Sequence, residues 1–286
     1  MIVVTGASGQ LGRRIVEQLL KRIAPERIGV SVRDPAKAAD LAGCGVRVRA
    51  GDFADPESLR ASFEGATQVL ITSSNARVYG GDPLVQHRNA IEAARAAGAE
   101  RIVYTSHMAA SDRSAFPPML EHAATEAMLA ESGLAWTALR NGFYAQSALQ
   151  FMGDWRNTGV IAAPEDGPVC WTTHSDLAGA VAVVLSEPGR FDGPTPPLTG
   201  SEALDLAALA QIASEILGRP VERLVIPDDH LQSAMTARGA LPYAVNALLG
   251  FYRAGRAGEF AAMNPTLGTL LGYKPTAMAQ VLAGAV

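Results

Sequence analysis

Short apolar runs alternate with amphipathic stretches along the first 140 residues. The runs are rich in Val, Ile and Thr, as in strands that a parallel sheet buries on both faces. Two of the stretches between them, residues 86–97 and 121–132, are followed by Gly98 and Gly133, which can serve as helix C-caps. The predicted strands are residues 2–5, 28–32, 46–49, 68–72, 101–105 and 135–139. This order predicts an α/β fold with a doubly wound parallel sheet, formed by residues 1–140.

The pattern changes after residue 140, where prolines and glycines interrupt the periodicity. A well-marked helix returns in the segment DLAALAQIASEIL, with Asp205 as its N-cap and Gly218 at its end. We therefore expect residues 141–286 to form a smaller α+β lobe that binds substrate. Segments at about residues 172–190 could return to the first domain.

Charge and cysteine content exclude several classes of partner. The chain has 286 residues and a formal net charge of −4, so it lacks the excess of Lys and Arg that a nucleic-acid surface needs. No apolar run is long enough to predict a membrane span. Cys44 and Cys170 are far apart and have no metal-ligand spacing, so no metal site is predicted. We expect a cytoplasmic protein without nucleic-acid or membrane partners, and the sequence leaves open whether it forms a homodimer.

A glycine-rich turn follows the first predicted strand. Gly6, Gly9 and Gly12 form G-x-x-G-x-x-G at the start of a predicted helix. In a Rossmann-type fold such glycines allow a tight turn, close approach of a pyrophosphate and close packing of helix on strand. The alternative is a turn that binds nothing. The residues predicted to contact the cofactor here are Gly6, Ser8, Gly9, Gln10, Leu11 and Gly12.

The residues after the second strand indicate which dinucleotide binds. NAD-selective sites place an acidic residue there, whereas this chain has Arg33, followed by Lys37. A guanidinium can bind a 2′-phosphate through two hydrogen bonds, so NADP(H) is predicted and NAD(H) is less favoured. The alternative is a solvated Arg33, with Asp34 binding the ribose.

Asp52 and Phe53 follow the third predicted strand. They are placed to meet the adenine by a hydrogen bond and a ring contact. Asp52 could equally cap the helix that follows Pro56.

Several longer motifs resemble one known family. They are TGASGQLG, VRDPAK, GDFAD, QHRNAIEAARAAG, YTS, EHAATEAMLAESGLAWTALRNGFY, HSDLAGAVAVVL and LTGSEALDLAALAQIASEILGRPV. Together they resemble the NmrA-like branch of the atypical short-chain dehydrogenase/reductases, and within it the NADPH-dependent quinone oxidoreductases and triphenylmethane reductases. The resemblance implies a Rossmann domain that binds NADP(H) and a smaller lobe that closes a cleft over the nicotinamide. It also implies that Ser73, Ser74 and Thr105 contact the cofactor, and that Asn141, Gly142, Phe143 and Tyr144 lie close to the nicotinamide and the substrate.

The proton donor of ordinary short-chain dehydrogenases is absent. Their Y-x-x-x-K pair is not found; His122 stands at the lysine position and Pro118 at the tyrosine position. The candidate catalytic residues are His122, Asn141, Tyr144 and Ser106. His122 could bind ribose or donate a proton, or could be a structural histidine. Glu126 could orient His122 or be solvated.

Aromatic and soft side chains gather around the expected cleft: Tyr79, His107, Met108, Phe116, Met119, Phe143, Tyr144, Trp155 and Trp171. They suit a flat aromatic substrate, although core packing is the ordinary role for any one of them. The leading hypothesis is an NADPH-dependent reductase of quinones or related aromatic acceptors, including polycyclic natural-product intermediates. The alternatives are a non-catalytic NADP(H) sensor, which the missing Tyr/Lys pair favours, and an epimerase or dehydratase of the extended short-chain type.

Overall fold

The computed structural model describes residues 1–286 and contains three parallel sheets. The strands are β1 (Ile2–Thr5), β2 (Ile28–Val32), β3 (Arg47–Ala50), β4 (Gln68–Ile71), β5 (Arg101–His107), β6 (Ala135–Asn141), β7 (Phe143–Tyr144), β8 (Val160–Ala163), β9 (Trp171–Thr172), β10 (Gly193–Pro194) and β11 (Glu222–Val225). The helices are α1 (Gln10–Leu19), α2 (Ala39–Gly43), α3 (Pro56–Phe63), α4 (Pro83–Ala96), α5 (Pro117–Glu131), α6 (Ala145–Phe151), α7 (Trp155–Thr158), α8 (His174–Ser186), α9 (Leu206–Leu217), α10 (Asp228–Ala237), α11 (Pro242–Arg256), α12 (Thr266–Leu271) and α13 (Met278–Ala283).

Seven strands form the central sheet in the order β10-β6-β5-β4-β1-β2-β3. The predicted Rossmann-type sheet is therefore confirmed. All six predicted strands are present, and their ends differ from the prediction by no more than two residues. The chain order reverses between β1 and β4, and the carboxyl ends of strands at such a switch point are where α/β sheets bind ligands.

The seventh strand, β10, was not predicted. It has two residues, Gly193 and Pro194, which pair with Thr137 and Ala138 of β6. A segment this short, next to a proline-rich stretch, gives no strand periodicity, because its pairing depends on the strand beside it.

Contacts group the chain into two compact units. The first unit comprises Met1–Ser106, Glu121–Arg140 and His174–Pro196, and the second comprises His107–Leu120, Asn141–Thr173 and Pro197–Val286. The first unit contains β10 and most of the rest of the central sheet. Its core is formed by strands that are apolar on both faces, as in β1 and β4, where every residue is buried. Helix α1 packs against α8 in the same unit.

The second unit has its own core. Helices α6, α9, α11 and α13 pack around buried apolar side chains that include Trp155 and Phe260, both 0% exposed. Two small parallel sheets, β7 with β9 and β11 with β8, complete this unit.

The predicted C-terminal ends of the helices agree with the structure within one residue, whereas α4 and α5 begin three and four residues before the predicted stretches. Asp205 is the N-cap of α9, with its side chain accepting a hydrogen bond from the Ala208 amide at 2.8 Å. Gly98, Gly133 and Gly218 adopt the left-handed conformation that a helix C-terminus favours. None of the helices is both long and apolar enough to cross a bilayer.

Candidate functional site

The glycine-rich turn joins β1 to α1 at the switch point of the sheet. Gly6 has φ +65°, and a Cβ there would lie 2.4 Å from the Thr72 hydroxyl oxygen. A Cβ on Gly12 would lie 2.4 Å from the Gly6 carbonyl oxygen. Real Cβ atoms do not approach other atoms so closely, so the turn and the first helical turn can pack this way only with glycine at both positions.

The amino end of α1 fits a diphosphate. Gly9 is the N-cap and brings no side chain to the end of the helix, and no acidic residue stands in the first turn. The first amides of a helix have no intrahelical partner and carry partial positive charge, so they bind anions. Ser8 and Gln10 are exposed beside this end, whereas the Leu11 side chain is only 8% exposed. Leu11 can therefore contribute its backbone amide but not its side chain.

Two exposed cations follow β2. Arg33 and Lys37 form no ion pair within the chain, so both remain available to a phosphate. Asp34, the alternative partner for the ribose, accepts a hydrogen bond from the Ala36 amide at 3.1 Å and caps the short 3₁₀ turn Pro35–Ala38. Arg33 therefore stays the predicted partner of the 2′-phosphate, and Asp34, which uses one carboxylate oxygen in this turn, stays the alternative for the ribose.

Asp52 and Phe53 follow β3, as predicted, and both are partly accessible. Asp52 does not cap α3, because Asp55 stands directly before Pro56 and accepts hydrogen bonds from the Glu57 and Ser58 amides. That alternative for Asp52 was wrong. Its carboxylate instead accepts a hydrogen bond from the Ala54 amide at 2.9 Å.

The Ser73–Ser74 segment after β4 is held by two side chains. The Ser73 amide donates to the Thr105 hydroxyl and the Ser74 amide donates to Nε2 of His87, each at 2.8 Å. Because an amide can only donate, Nε2 of His87 carries no proton, and Nδ1 donates to Thr125 at 2.8 Å. Burial lowers the pKa of His87 to about 4, so the imidazole is neutral at physiological pH.

His122 lies on α5 and contacts a residue that sequence reasoning missed. Its Nδ1 is 2.9 Å from the hydroxyl of Tyr104 in β5, and the two ring centroids are 5.7 Å apart. Tyr104 is 1% exposed, and in the sequence it stands out only as part of the motif YTS. No sequence pattern links it to His122, because the contact depends on how α5 crosses the sheet.

Ser106 belongs to a second network on the same elements. Its hydroxyl donates to Glu126 at 2.6 Å, and Glu126 also pairs with Arg140 through two hydrogen bonds, of 2.7 and 3.2 Å. The Glu126 side chain is 9% exposed, so the alternative that it is solvated was wrong, and the alternative that it orients His122 stays a prediction. The bond to Glu126 uses the one hydrogen of the Ser106 hydroxyl. In this arrangement Ser106 can accept a further hydrogen bond but cannot donate one.

Near β7, in the second unit, two side-chain amides have buried atoms without hydrogen-bond partners. Asn141 is 1% exposed, and both atoms of its amide have no hydrogen-bond partner in the chain. Burial raises the pKa of the neighbouring Tyr144 to about 12, and the Asn141 side chain offsets part of this increase. The side-chain oxygen of Gln146, a residue not predicted, is likewise buried without a partner. Buried polar groups are normally paired, so three unpaired amide atoms in one short segment indicate a place for a ligand.

Gly142 fits tightly between Asn141 and Phe143. A Cβ there would lie 2.3 Å from the Thr172 hydroxyl, and the Gly142 amide donates to the Leu198 carbonyl at 2.8 Å. The close approach fixes the backbone that carries Asn141 and Phe143.

Phe143 lies at the centre of an aromatic cluster in the second unit. Its ring contacts those of His107, Phe116, Phe151, Trp171, Phe251 and Phe260 at centroid distances of 5.1–6.4 Å. Burial lowers the pKa of His107 to about 3, so this imidazole is also neutral.

The aromatic and soft side chains that were predicted around the cleft differ in burial. Met119, Trp155 and Trp171 are core residues, with exposures of 1%, 0% and 4%. Phe116, Phe143 and Tyr144 are partly accessible. Tyr79 belongs to the first unit and is 78% exposed. Only the partly accessible members of the second unit therefore remain candidates for contact with a substrate there.

Comparison with known proteins identifies the family. A family model described as NAD(P)H-binding matches residues 6–188. Quinone oxidoreductase 2 of Escherichia coli is 36% identical over 282 residues, which cover 98% of this chain and 96% of that protein.

Two solved structures are similar over the whole chain. The E. coli NADPH-dependent quinone oxidoreductase complexed with NADPH has a TM-score of 0.91 and 34% identity, covering 100% of this chain and 99% of the other. The triphenylmethane reductase of Citrobacter sp. complexed with NADP(H) has a TM-score of 0.88 and 31% identity, covering 100% of both chains. The chain therefore belongs to the NAD(P)H-binding family, in the NmrA-like branch that its motifs predicted.

Proposed function

We propose that the protein is an NADPH-dependent reductase whose hydride acceptors are quinones or related aromatic compounds, including polycyclic natural-product intermediates. The observation that carries the proposal is the cradle at the amino end of α1, where Gly6 and Gly12 leave no room for a Cβ. A dinucleotide diphosphate is the ligand that suits such a cradle.

The residues present fit NADP(H). The amides of Gln10, Leu11 and Gly12 would hold the diphosphate, and Arg33 with Lys37 would bind the 2′-phosphate. Asp52 and Phe53 would contact the adenine. The segment Ser73–Ser74, which Thr105 and His87 hold in place, would run along the cofactor. When bound, NADPH supplies the hydride.

The acceptor class follows from the aromatic side chains and from the relatives. Phe116 and Phe143 stack on each other with ring centroids 5.8 Å apart, and the parts of both rings that remain accessible would contact a flat molecule. The similar proteins are named for quinone and triphenylmethane reduction. Such acceptors delocalise the charge that reduction leaves, so orientation can supply most of the rate enhancement and a strong acid is not required. Burial raises the pKa of Tyr144 to about 12, so its hydroxyl stays protonated and would act as a neutral hydrogen-bond donor rather than as an acid.

Steady-state oxidation of NADPH tests the proposal. The purified protein should oxidise NADPH in the presence of simple quinones and without added flavin. The control reaction replaces NADPH with NADH, which should be a poorer donor. Tight NADPH binding without turnover across a panel of quinones and aromatic dyes would refute the reductase proposal and favour an NADP(H) sensor.

A further inference from the structure

We infer that Tyr104 is a positioning residue that fixes the tautomer of His122: its hydroxyl donates to Nδ1 and thereby keeps the ring hydrogen on Nε2. Neither the motifs nor the family match assigns a role to Tyr104. The inference rests on the proposed function only for its kinetic consequence.

The geometry places Tyr104 between two imidazoles. Its ring centroid is 5.3 Å from that of His87 and 5.7 Å from that of His122. Both nitrogens of His87 are already occupied, by the Ser74 amide and the Thr125 hydroxyl. The hydroxyl of Tyr104 instead lies 2.9 Å from Nδ1 of His122.

The direction of this hydrogen bond follows from acidity and burial. A phenol is a much stronger acid than the N–H of a neutral imidazole, and imidazole nitrogen is a better acceptor than phenol oxygen. The arrangement O–H···N is therefore stronger than N–H···O. Tyr104 is also 1% exposed, so its hydroxyl hydrogen requires an acceptor within the protein, and Nδ1 provides one.

The fixed tautomer makes Nε2 of His122 a hydrogen-bond donor. A neutral imidazole has one donor and one acceptor nitrogen, and the bond at one nitrogen decides the role of the other. The lysine that His122 replaces in the Y-x-x-x-K pattern is a donor only. With Tyr104 at Nδ1, neutral His122 can likewise only donate from its remaining nitrogen.

Nitrogen-15 NMR of histidine-labelled protein tests the tautomer without any turnover. At pH 8, Nε2 of His122 should show the chemical shift of a protonated nitrogen and Nδ1 that of an unprotonated one. His122→Gln identifies the signals by removing them. In Tyr104→Phe the His122 signals should move towards averaged shifts of two tautomers. Tyr252→Phe, which removes another buried tyrosine hydroxyl, should leave them unchanged. A protonated Nδ1 in the natural protein, or His122 signals that are unchanged in Tyr104→Phe, would overturn the inference.

A matched pair of substitutions tests the consequence. The side-chain amide of Gln reaches the position of Nε2, whereas that of Asn reaches only the position of Nδ1. His122→Gln should therefore retain kcat/KM within about threefold, and His122→Asn should lose about five- to tenfold, the value of one hydrogen bond. Equal losses in the two variants would refute the donor role of Nε2. Absence of quinone turnover in the natural protein would refute the proposed function instead, and the NMR measurement would still decide the tautomer.

Discussion

Replacement of Gly12 by alanine is the most direct perturbation of the cofactor cradle. The added Cβ would lie 2.4 Å from the Gly6 oxygen, 2.8 Å from the Gly6 carbonyl carbon and 3.1 Å from the Ala7 nitrogen. All three are backbone atoms of the turn, so no side-chain rotation relieves the clash. An ordinary contact of a Cβ begins near 3.4 Å, so the turn and α1 must separate by about 1 Å.

The expected cost follows from this overlap. Inserting a methyl group into a close-packed site costs about 1–3 kcal/mol. The strain falls on the turn that must hold the diphosphate, so we expect it to appear in the binding free energy. A loss of that size corresponds to about 5- to 150-fold weaker NADPH binding.

Calorimetric titration with NADPH measures the effect, and thermal unfolding shows whether the variant remains folded. Gly43→Ala is the matched control, because no atom lies within 4 Å of a Cβ there and the residue is helical. The control should bind NADPH normally and gain about 0.5–1 kcal/mol of stability. A folded Gly12→Ala protein with unchanged NADPH affinity would refute the assignment of the cradle to the diphosphate.

Three further predictions concern charge and pH. Arg33→Ala should weaken NADPH binding by about 10- to 100-fold and NADH binding by less than about threefold, since only NADPH carries the 2′-phosphate. Equal losses of affinity for the two dinucleotides in calorimetry would contradict the assignment of Arg33 to that phosphate. The pKa of His87 falls from 6.5 to about 4 on folding, so the unfolded chain takes up a proton first as pH falls. The free energy of unfolding should therefore fall by about 3 kcal/mol between pH 6.5 and 4, as measured by denaturant unfolding. The fall should be smaller in His87→Gln, whereas the control His230→Gln, at an exposed histidine, should show the same fall as the natural protein. Glu126→Gln leaves the Arg140 guanidinium without its carboxylate and should lower the free energy of unfolding by about 1.5–3 kcal/mol. An unchanged unfolding curve would show that the ion pair contributes nothing to stability.

The sheet could be predicted because local pattern and fold agree in it. Strands such as β1 and β4 are buried on both faces, so each is a run of three apolar residues with one polar residue at its end, and such runs stand out in the sequence. The glycine turn could be predicted for a related reason. The positive φ of Gly6 and the close approach at Gly12 exclude other residues, so the spacing itself carries the geometry.

The polar networks could not be predicted in the same way. Tyr104 and His122 are 18 residues apart, and Glu126 and Arg140 are 14 apart, on different elements in each case. Their contacts depend on the rotation of α5 about its axis as it packs on the sheet. Helical periodicity indicated that His122 and Glu126 share a face of α5, but not which strand residues they would meet.

These networks also explain how a reductase can function without the usual tyrosine and lysine. Near the carboxyl ends of β4 and β5, three hydrogen-bond donors have defined acceptors. The Ser74 amide donates to His87, the Ser106 hydroxyl donates to Glu126 and, as we infer, the Tyr104 hydroxyl donates to His122. The tautomer that we infer keeps a hydrogen on Nε2 of His122, and a fixed donor of this kind stabilises developing charge without gaining or losing a proton itself. Such a surface is poorly suited to the reduction of an isolated carbonyl, which needs a proton delivered to a localised alkoxide. It is sufficient for a conjugated acceptor, whose reduced form spreads its charge over several atoms and can take its proton from water. With the acceptors that we propose, a carbonyl substrate without conjugation should be reduced far more slowly than a quinone of the same size.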